Sequence, residues 1–410
     1  MDKIINFFAH IARLFAGLVF MFSGIVKGVD PLGFAYKLTD YFHAFHLMSF
    51  DGLALPLSFI VCGSEFIIGA ALVLNLAPRI FAWFLLAFMA FFTILTFVLA
   101  LTNPVSDCGC FGDAIKLTNW QTFYKNLILL APTLLIVFRR KKLGNNSASR
   151  NFAFFIISVA LYSFISGYSY YYLPIFDFRP YSVGTYLPEN MRIPEGMPRD
   201  EYEQTLVYQK DSVVKEFTLA NYPWQDSTWK WKETRTVLKK KGYQPPIHDF
   251  ILTDSLGNEF TQDMLADTSF TILLIAHNLE KAAHEGLLKA APLASLAKHH
   301  ANIKFAALTA SSKEQSTALA KKLGLNYRFG SADETMLKTV IRANPGFVLL
   351  HKGTVLGMWS WRNVPSASFF KENTLAHVIK SYHNPIQNGL LIFALIGWLI
   401  GVFIIIRFIK

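Results

Sequence analysis

Cysteine is scarce in this chain: there are three in 410 residues, Cys62, Cys108 and Cys110. That number excludes a disulfide-stapled scaffold and a four-cysteine zinc site. Charge is scarce too. Charged residues make up 16% of the chain against 53% hydrophobic ones, with a positive mean hydropathy, which excludes an ordinary soluble protein of this length. The formal net charge of +11 raises the question of nucleic acid as a partner. The basic residues gather partly at the ends of apolar runs, however, and no nucleic-acid motif accompanies them, so no nucleic-acid role is expected. What remains is an integral membrane protein, in contact with lipid, that carries one sizeable polar portion.

Long apolar runs are what the chain has in abundance. Ile4 to Val26 would span about 30 Å as a helix and contains Arg13. No small-residue cleavage site follows it and further apolar runs do, so it reads as an uncleaved membrane helix rather than a signal peptide. Further spans are expected at Leu53 to Leu76, Ile80 to Leu101, Trp120 to Phe138, Phe152 to Leu173 and Gly389 to Ile406. After the first span, Asp30 suits an N-cap and Pro31 the first helical position, so a helix should start there. Its Phe34, Leu38, Tyr41, Phe42 and Phe45 form one aromatic face, suited either to the membrane interface or to packing on the bundle.

Arg139-Arg140-Lys141-Lys142, with Arg79, marks the cytoplasmic side. Counting spans from there puts both termini inside, and puts the 102–119 loop and the polar segment from about 175 to 385 outside. The expected location is a bacterial cytoplasmic (inner) membrane, multi-pass, with the cysteine loop and the large domain periplasmic. Disulfide chemistry persists on that side.

The chemistry concentrates in Asp107-Cys108-Gly109-Cys110-Phe111-Gly112-Asp113. Gly109 tolerates the positive φ of a very tight turn, so the two cysteines can close a small disulfide ring. Strain in such a ring favours exchange over stapling. Two free thiols in a turn is the competing reading. Cys62 lies within roughly 10 Å of the outer end of its span, where a folded-back loop could reach it to make a three-thiol relay; alternatively it is a small buried apolar residue. Glu65 is a carboxylate inside a span, which is costly unless paired or protonated and is therefore a functional candidate, with Arg13 and Lys125 as its expected partners. A structural ion pair is the alternative. Cys108, Cys110, Cys62 and Glu65 are the candidate catalytic set.

Phe22-Ser23-Gly24, Lys27, Asp30-Pro31, Glu65 and Gly69 in the second span, the Asp107–Gly112 loop and Lys125-Asn126 resemble the DoxX and MauE family of redox-associated membrane proteins over roughly residues 1 to 140. The resemblance implies a four-helix bundle like that of vitamin K epoxide reductase and DsbB-type enzymes, and a redox role. MauE members are linked to maturation of methylamine dehydrogenase. A quinone or another membrane electron carrier is a candidate acceptor. The layout as a whole resembles a version found in Bacteroidetes.

Beyond the fifth span, residues 207–217 read as two short strands around a turn. From Pro245 the pattern is α/β. Strands are expected at Phe270 to Ala276 and Ile303 to Thr309, and helices at Lys281 to His299, Lys313 to Leu323 and Ala332 to Ile341. A hairpin, Gly346 to Leu350 with Val355 to Trp359, and a helix from Ser366 to about Tyr382 complete it. This order resembles the thioredoxin fold of the TlpA type. Leu279-Glu280-Lys281-Ala282 stands where that fold carries its C-x-x-C pair, so the dithiol is absent. Asn344-Pro345 stands where it carries the cis-proline edge that receives an extended segment, which makes these two residues candidates for binding an extracytoplasmic protein partner; a remnant kept for stability is the alternative. His277, His284, His299 and His300 show no metal-ligand spacing.

The expected organisation is therefore a membrane α-helical bundle with an extracytoplasmic thioredoxin-like domain. It comprises a four-helix DoxX/MauE-like domain over 1–143, a fifth span over 150–174, a connector with a β-hairpin over 175–244, a degenerate thioredoxin-like domain over 245–385 and a last span over 388–407. Two functions compete: thiol-disulfide exchange through the C-x-C loop, or a noncatalytic scaffold or maturation factor for extracytoplasmic proteins.

Overall fold

The computed structural model describes residues 1–105, 107–144, 147–240, 242–371 and 385–408. Six helices open the chain: α1 (Asp2–Gly28), α2 (Pro31–Ala44), α3 (Ala54–Val73), α4 (Pro78–Thr102), α5 (Asn119–Arg139) and α6 (Ala148–Tyr171). All but α2 are long and apolar enough to cross a membrane. Their outward residues include Phe84, Phe91, Ile94 and Phe97, large apolar side chains left exposed as contact with lipid requires. α2 begins as its sequence dictates, with the Asp30 carboxylate accepting from Gly33 N at 2.9 Å and Pro31 at the first position. α5 starts on a Thr118/Gln121 capping box.

α1 and α3 pack closest. A Cβ on Gly24 would collide with the backbone of Cys62 and Phe66, and one on Gly69 with that of Gly17 and Met21, so these positions admit no side chain. α2 lies at the end of the bundle that carries the 102–119 loop. At the opposite end the Arg139 guanidinium donates to Asp2 at 3.0 Å.

Residues Tyr186–Phe250 form a compact unit of their own. It holds a short helix α7 (Leu187–Asn190) and an antiparallel sheet of β1 (Glu201–Lys210), β2 (Val213–Thr218) and β3 (Lys230–Lys240) in the order β2-β1-β3. The hairpin expected at 207–217 is β1 and β2, turning at Asp211. β3 escapes sequence reading because every residue in it is exposed, so no apolar alternation marks it.

From Ile251 the chain builds an α/β layer. Its elements are α8 (Thr261–Ala266), β4 (Phe270–Ile275), α9 (His284–His299), β5 (Ile303–Thr309), α10 (Lys313–Leu323), β6 (Phe329–Ser331), α11 (Glu334–Val340), β7 (Gly346–His351), β8 (Thr354–Ser360) and α12 (Ala367–Lys371). The sheet order is β6-β5-β4-β7-β8, with β4, β5 and β6 parallel and β7 and β8 antiparallel. A parallel βαβ unit followed by a hairpin, with a cis Asn344-Pro345 bond entering β7, is the thioredoxin-like arrangement. Its core is continuous: Ile272 and Leu274 of β4 and Phe347 and Leu349 of β7 pack with Leu287 and Leu293 of α9. The remainder of the helix expected to run to Tyr382 lies outside the described residues. A last helix, α13 (Pro385–Phe408), packs on α6, where the Trp398 indole donates to Ser158 Oγ at 3.3 Å.

Candidate functional site

The loop between α4 and α5 is held by side chains from three helices. Tyr41 of α2 donates its hydroxyl to Cys108 O at 2.5 Å, and Lys37, one turn earlier, pairs with Asp107 at 2.9 Å. Asn119 of α5 donates to Val105 O at 2.9 Å, and Ser23 of α1 lies 2.9 Å from Cys110 O. Asp107 accepts from Gly109 N at 2.9 Å, while Gly109 itself takes φ +63°, the left-handed turn that the C-x-C spacing demands. The loop is therefore a fixed turn over the end of the bundle.

This turn puts the two sulfurs 2.8 Å apart as free thiols. Cys108 is buried against Tyr41 and Leu99, with its sulfur 3.1 Å from Thr122 Oγ1, whereas Cys110 is partly exposed. Donation from the Cys108 thiol holds the Cys110 thiol below its usual range, and the positive charges of Lys125 and Lys27 act in the same direction. That same hydrogen bond, with burial, pushes Cys108 up. The pair is thus differentiated into one acidic thiol, on a partly exposed residue, and one partner whose thiol is held protonated.

Glu65 lies beneath the loop, and its expected partners are corrected. Neither Arg13 nor Lys125 reaches it: Lys27 does, with Nζ 2.5 Å from the carboxylate and both side chains buried. The reason is helical geometry. α1 continues through Lys27 to Gly28, so Lys27 and Ser23, four residues apart, share the face turned to α3. Arg13, fourteen residues earlier and so about 20 Å down the helix, donates instead to the carbonyls of Leu72 and Val73 at the carboxyl end of α3. Lys125 sits over the Phe111 ring, 4.6 Å from its centroid. Ser23 Oγ is 2.8 Å from Glu65 and 2.9 Å from Cys110 O, so its single proton links the buried ion pair to the cysteine loop through one acceptor at a time. Cys62, one turn before Glu65 on α3, is fully buried against Phe34, Phe66 and Tyr162.

A cavity of about 310 Å³ opens against this cluster. Cys108, Cys110, Glu65, Lys27 and Lys125 contribute to one part of its wall. The rest is apolar, from Phe34, Leu38 and Phe42 of α2 and from Phe92, Leu95 and Leu129 of α4 and α5. The aromatic face of α2 therefore turns toward the bundle. Ser23 and Lys27 entered the sequence reading only among the residues that carry the family resemblance, and Tyr41 only on the aromatic face of α2. None was given a chemical role there, because nothing local in the sequence shows which of them meet Glu65 or the cysteine loop.

In the thioredoxin-like domain, Leu279-Glu280-Lys281-Ala282 forms the turn between β4 and α9. Asn344 donates to Asn278 O at 2.7 Å, and Pro345 packs with Trp361 over Gly286. His277 is lowered to about 4, chiefly by burial. Among the described residues no group of three or more His, Cys, Asp or Glu could hold a metal ion.

Residues 5–139 match the family model for methylamine utilisation protein MauE, and residues 202–241 match a domain of unknown function, DUF8463. No curated protein matches the chain. Among solved structures, the chain is similar to a protein described as a disulfide isomerase from Bacteroides thetaiotaomicron, at 16% identity, covering 33% of this chain and 89% of that one with a TM-score of 0.27. A hypothetical protein from Sinorhizobium meliloti is 20% identical over 27% of this chain and 66% of its own, with a TM-score of 0.22. An uncharacterized conserved protein from Geobacillus kaustophilus is 16% identical over 27% and 64%, with a TM-score of 0.22.

Proposed function

For a multi-pass membrane protein whose residues 5–139 are MauE-like, we propose thiol-disulfide exchange at Cys108 and Cys110, oxidising the dithiols of an extracytoplasmic protein partner. The observation that carries this reading is the differentiated pair, two sulfurs 2.8 Å apart with Cys108 buried and Cys110 partly exposed and held acidic, at the wall of an apolar cavity. In the oxidised loop a partner thiolate attacks the Cys110 sulfur and the bond to Cys108 breaks, leaving a mixed disulfide on Cys110. The partner's second thiolate then attacks its own half of that bond, releasing Cys110 and leaving the partner oxidised and the loop reduced. Lys27 and Lys125 stabilise the thiolate at Cys110.

Re-oxidation needs an acceptor for two electrons and two protons. The cavity fits a lipophilic carrier by its apolar lining and its position among the spans, and a quinone held there would supply that capacity. Cys62 is fully buried and is not among the residues that line the cavity, and in this reading the relay is a two-thiol one. The thioredoxin-like domain, without a dithiol of its own, presents the partner along the Asn344-Pro345 edge.

Trapping tests it. Run in reverse, the Cys110 thiolate of a Cys108→Ser variant attacks the disulfide of an oxidised partner and expels one partner thiolate. With no Cys108 thiol to displace the partner from Cys110, the mixed disulfide should accumulate, whereas Cys110→Ser should form none. If alkylation in cells finds Cys108 and Cys110 reduced under all oxidising conditions, with no adduct in either variant, the exchange reading fails and the scaffold reading takes its place.

A further inference from the structure

Arg342 follows α11 in the thioredoxin-like domain, yet its side chain ends in the membrane domain. The guanidinium is 6% exposed and bridges two carboxylates far away in sequence. Nε donates to Asp30 at 2.8 Å and 3.1 Å, and Nη2 to Asp113 at 3.2 Å. The Tyr36 ring lies beside it, 5.6 Å from the guanidinium carbon, and Nη1 is tied back to Lys338 O. The surface of α2 is notched to admit it: a Cβ on Gly33 would collide with Asp30 and approach Arg342 Nη2.

Both carboxylates belong to the apparatus that holds the cysteines. Asp30 caps α2, whose Lys37 and Tyr41 fix Asp107 and Cys108. Asp113 is three residues beyond Cys110, on the far side of the same turn. One planar fork thus ties the capped start of α2 to the Asp113 flank of the loop, which the single ammonium of a lysine, a point donor, would not reproduce. The other side of the domain contact is secured independently, since Arg179, paired with Asp177 at 2.6 Å, donates to Thr339 O and Val340 O at the end of α11.

We propose that Arg342 is a positioning residue, through which the thioredoxin-like domain sets the placement of the Cys108–Cys110 loop. This rests on the exchange reading for its purpose but not for its test. The domain then acts on the dithiol without contributing a thiol, and a segment docked at Asn344-Pro345, two residues along the chain, would engage the element that holds the loop.

The test is the pH profile of Cys110 alkylation in the reduced, full-length protein in detergent, resolved by mass spectrometry, for wild type, Arg342→Ala, Arg342→Lys and Asp113→Asn. Asp113→Asn keeps the Arg342–Asp30 contact, so the domain stays anchored if Arg342→Ala fails to fold. Loss of placement predicts that Asp113→Asn moves the alkylation midpoint toward higher pH, because the loop drifts from Lys27 and Lys125, and raises the limiting rate several-fold. Charge alone predicts the opposite shift, since a nearby negative charge has been removed. Arg342→Lys should behave as Arg342→Ala. A lower midpoint in Asp113→Asn, or an unchanged profile in it, would overturn the proposal. The profile is read on reduced thiols, so a wild type that never cycles in cells would defeat the exchange reading and leave this result standing.

Discussion

A buried lysine 2.5 Å from a buried glutamate leaves each dependent on the other. Taking two charges out of water is expensive, and their attraction together with the Ser23 hydroxyl offsets that cost only while both are present. Removing one partner leaves an uncompensated charge and is worth about 3–5 kcal/mol. Glu65→Gln and Lys27→Met should therefore each lower the amount of folded protein in the membrane. The pair Lys27→Met with Glu65→Leu, which removes both charges, should restore much of it. Fluorescence-detected gel filtration of solubilised membranes reads this directly. If Glu65→Gln accumulates normally, the carboxylate is not a strut, and its link through Ser23 to the cysteine loop becomes the explanation to test. The same logic sets Glu65 apart from Cys108, whose serine variant removes little volume and no charge.

Helices read more clearly from this chain than their contacts do. Runs of about twenty apolar residues mark spans whatever surrounds them, because the bilayer imposes the length. The Asp30-Pro31 start of α2 follows from capping chemistry alone. Gly69 stood out in the sequence as part of the family resemblance, and the structure gives it the Gly17–Met21 backbone of α1 as its neighbour. Gly24→Val should separate α1 from α3, since its side chain would fall on the Cys62 carbonyl and Phe66 amide, and the protein should lose its folded peak in gel filtration while Gly52→Val, in open space, keeps it. What stayed hidden has two physical causes. β6, at three residues, and β3, wholly exposed, carry no apolar period to detect. The partners of Glu65 and the clasp of Arg342 depend on which faces meet after folding, and separations of 229 and 312 residues leave no local signal.

For the whole molecule, the structure fixes which segments share an end of the bundle and leaves one binary choice. Tyr41 with Cys108, and Arg342 with Asp30 and Asp113, gather the cysteine loop, α2 and the thioredoxin-like domain at one end. Arg139 with Asp2, and Arg140 over Trp83, mark the other. The basic residues at 139–142 favour the second end as cytoplasmic. Alkaline phosphatase fused after Gly144 should then be inactive and one inserted at the exposed turn of Gly257 active, with a cytoplasm-specific reporter giving the reverse. Both reporters on one side would break the span count between them. Opposite sides in the inverted sense would keep the fold but turn Cys110 toward the reducing compartment, where a strained C-x-C disulfide is held reduced. A partner could not then be oxidised there, so the orientation experiment bears on the proposed chemistry as directly as on the topology.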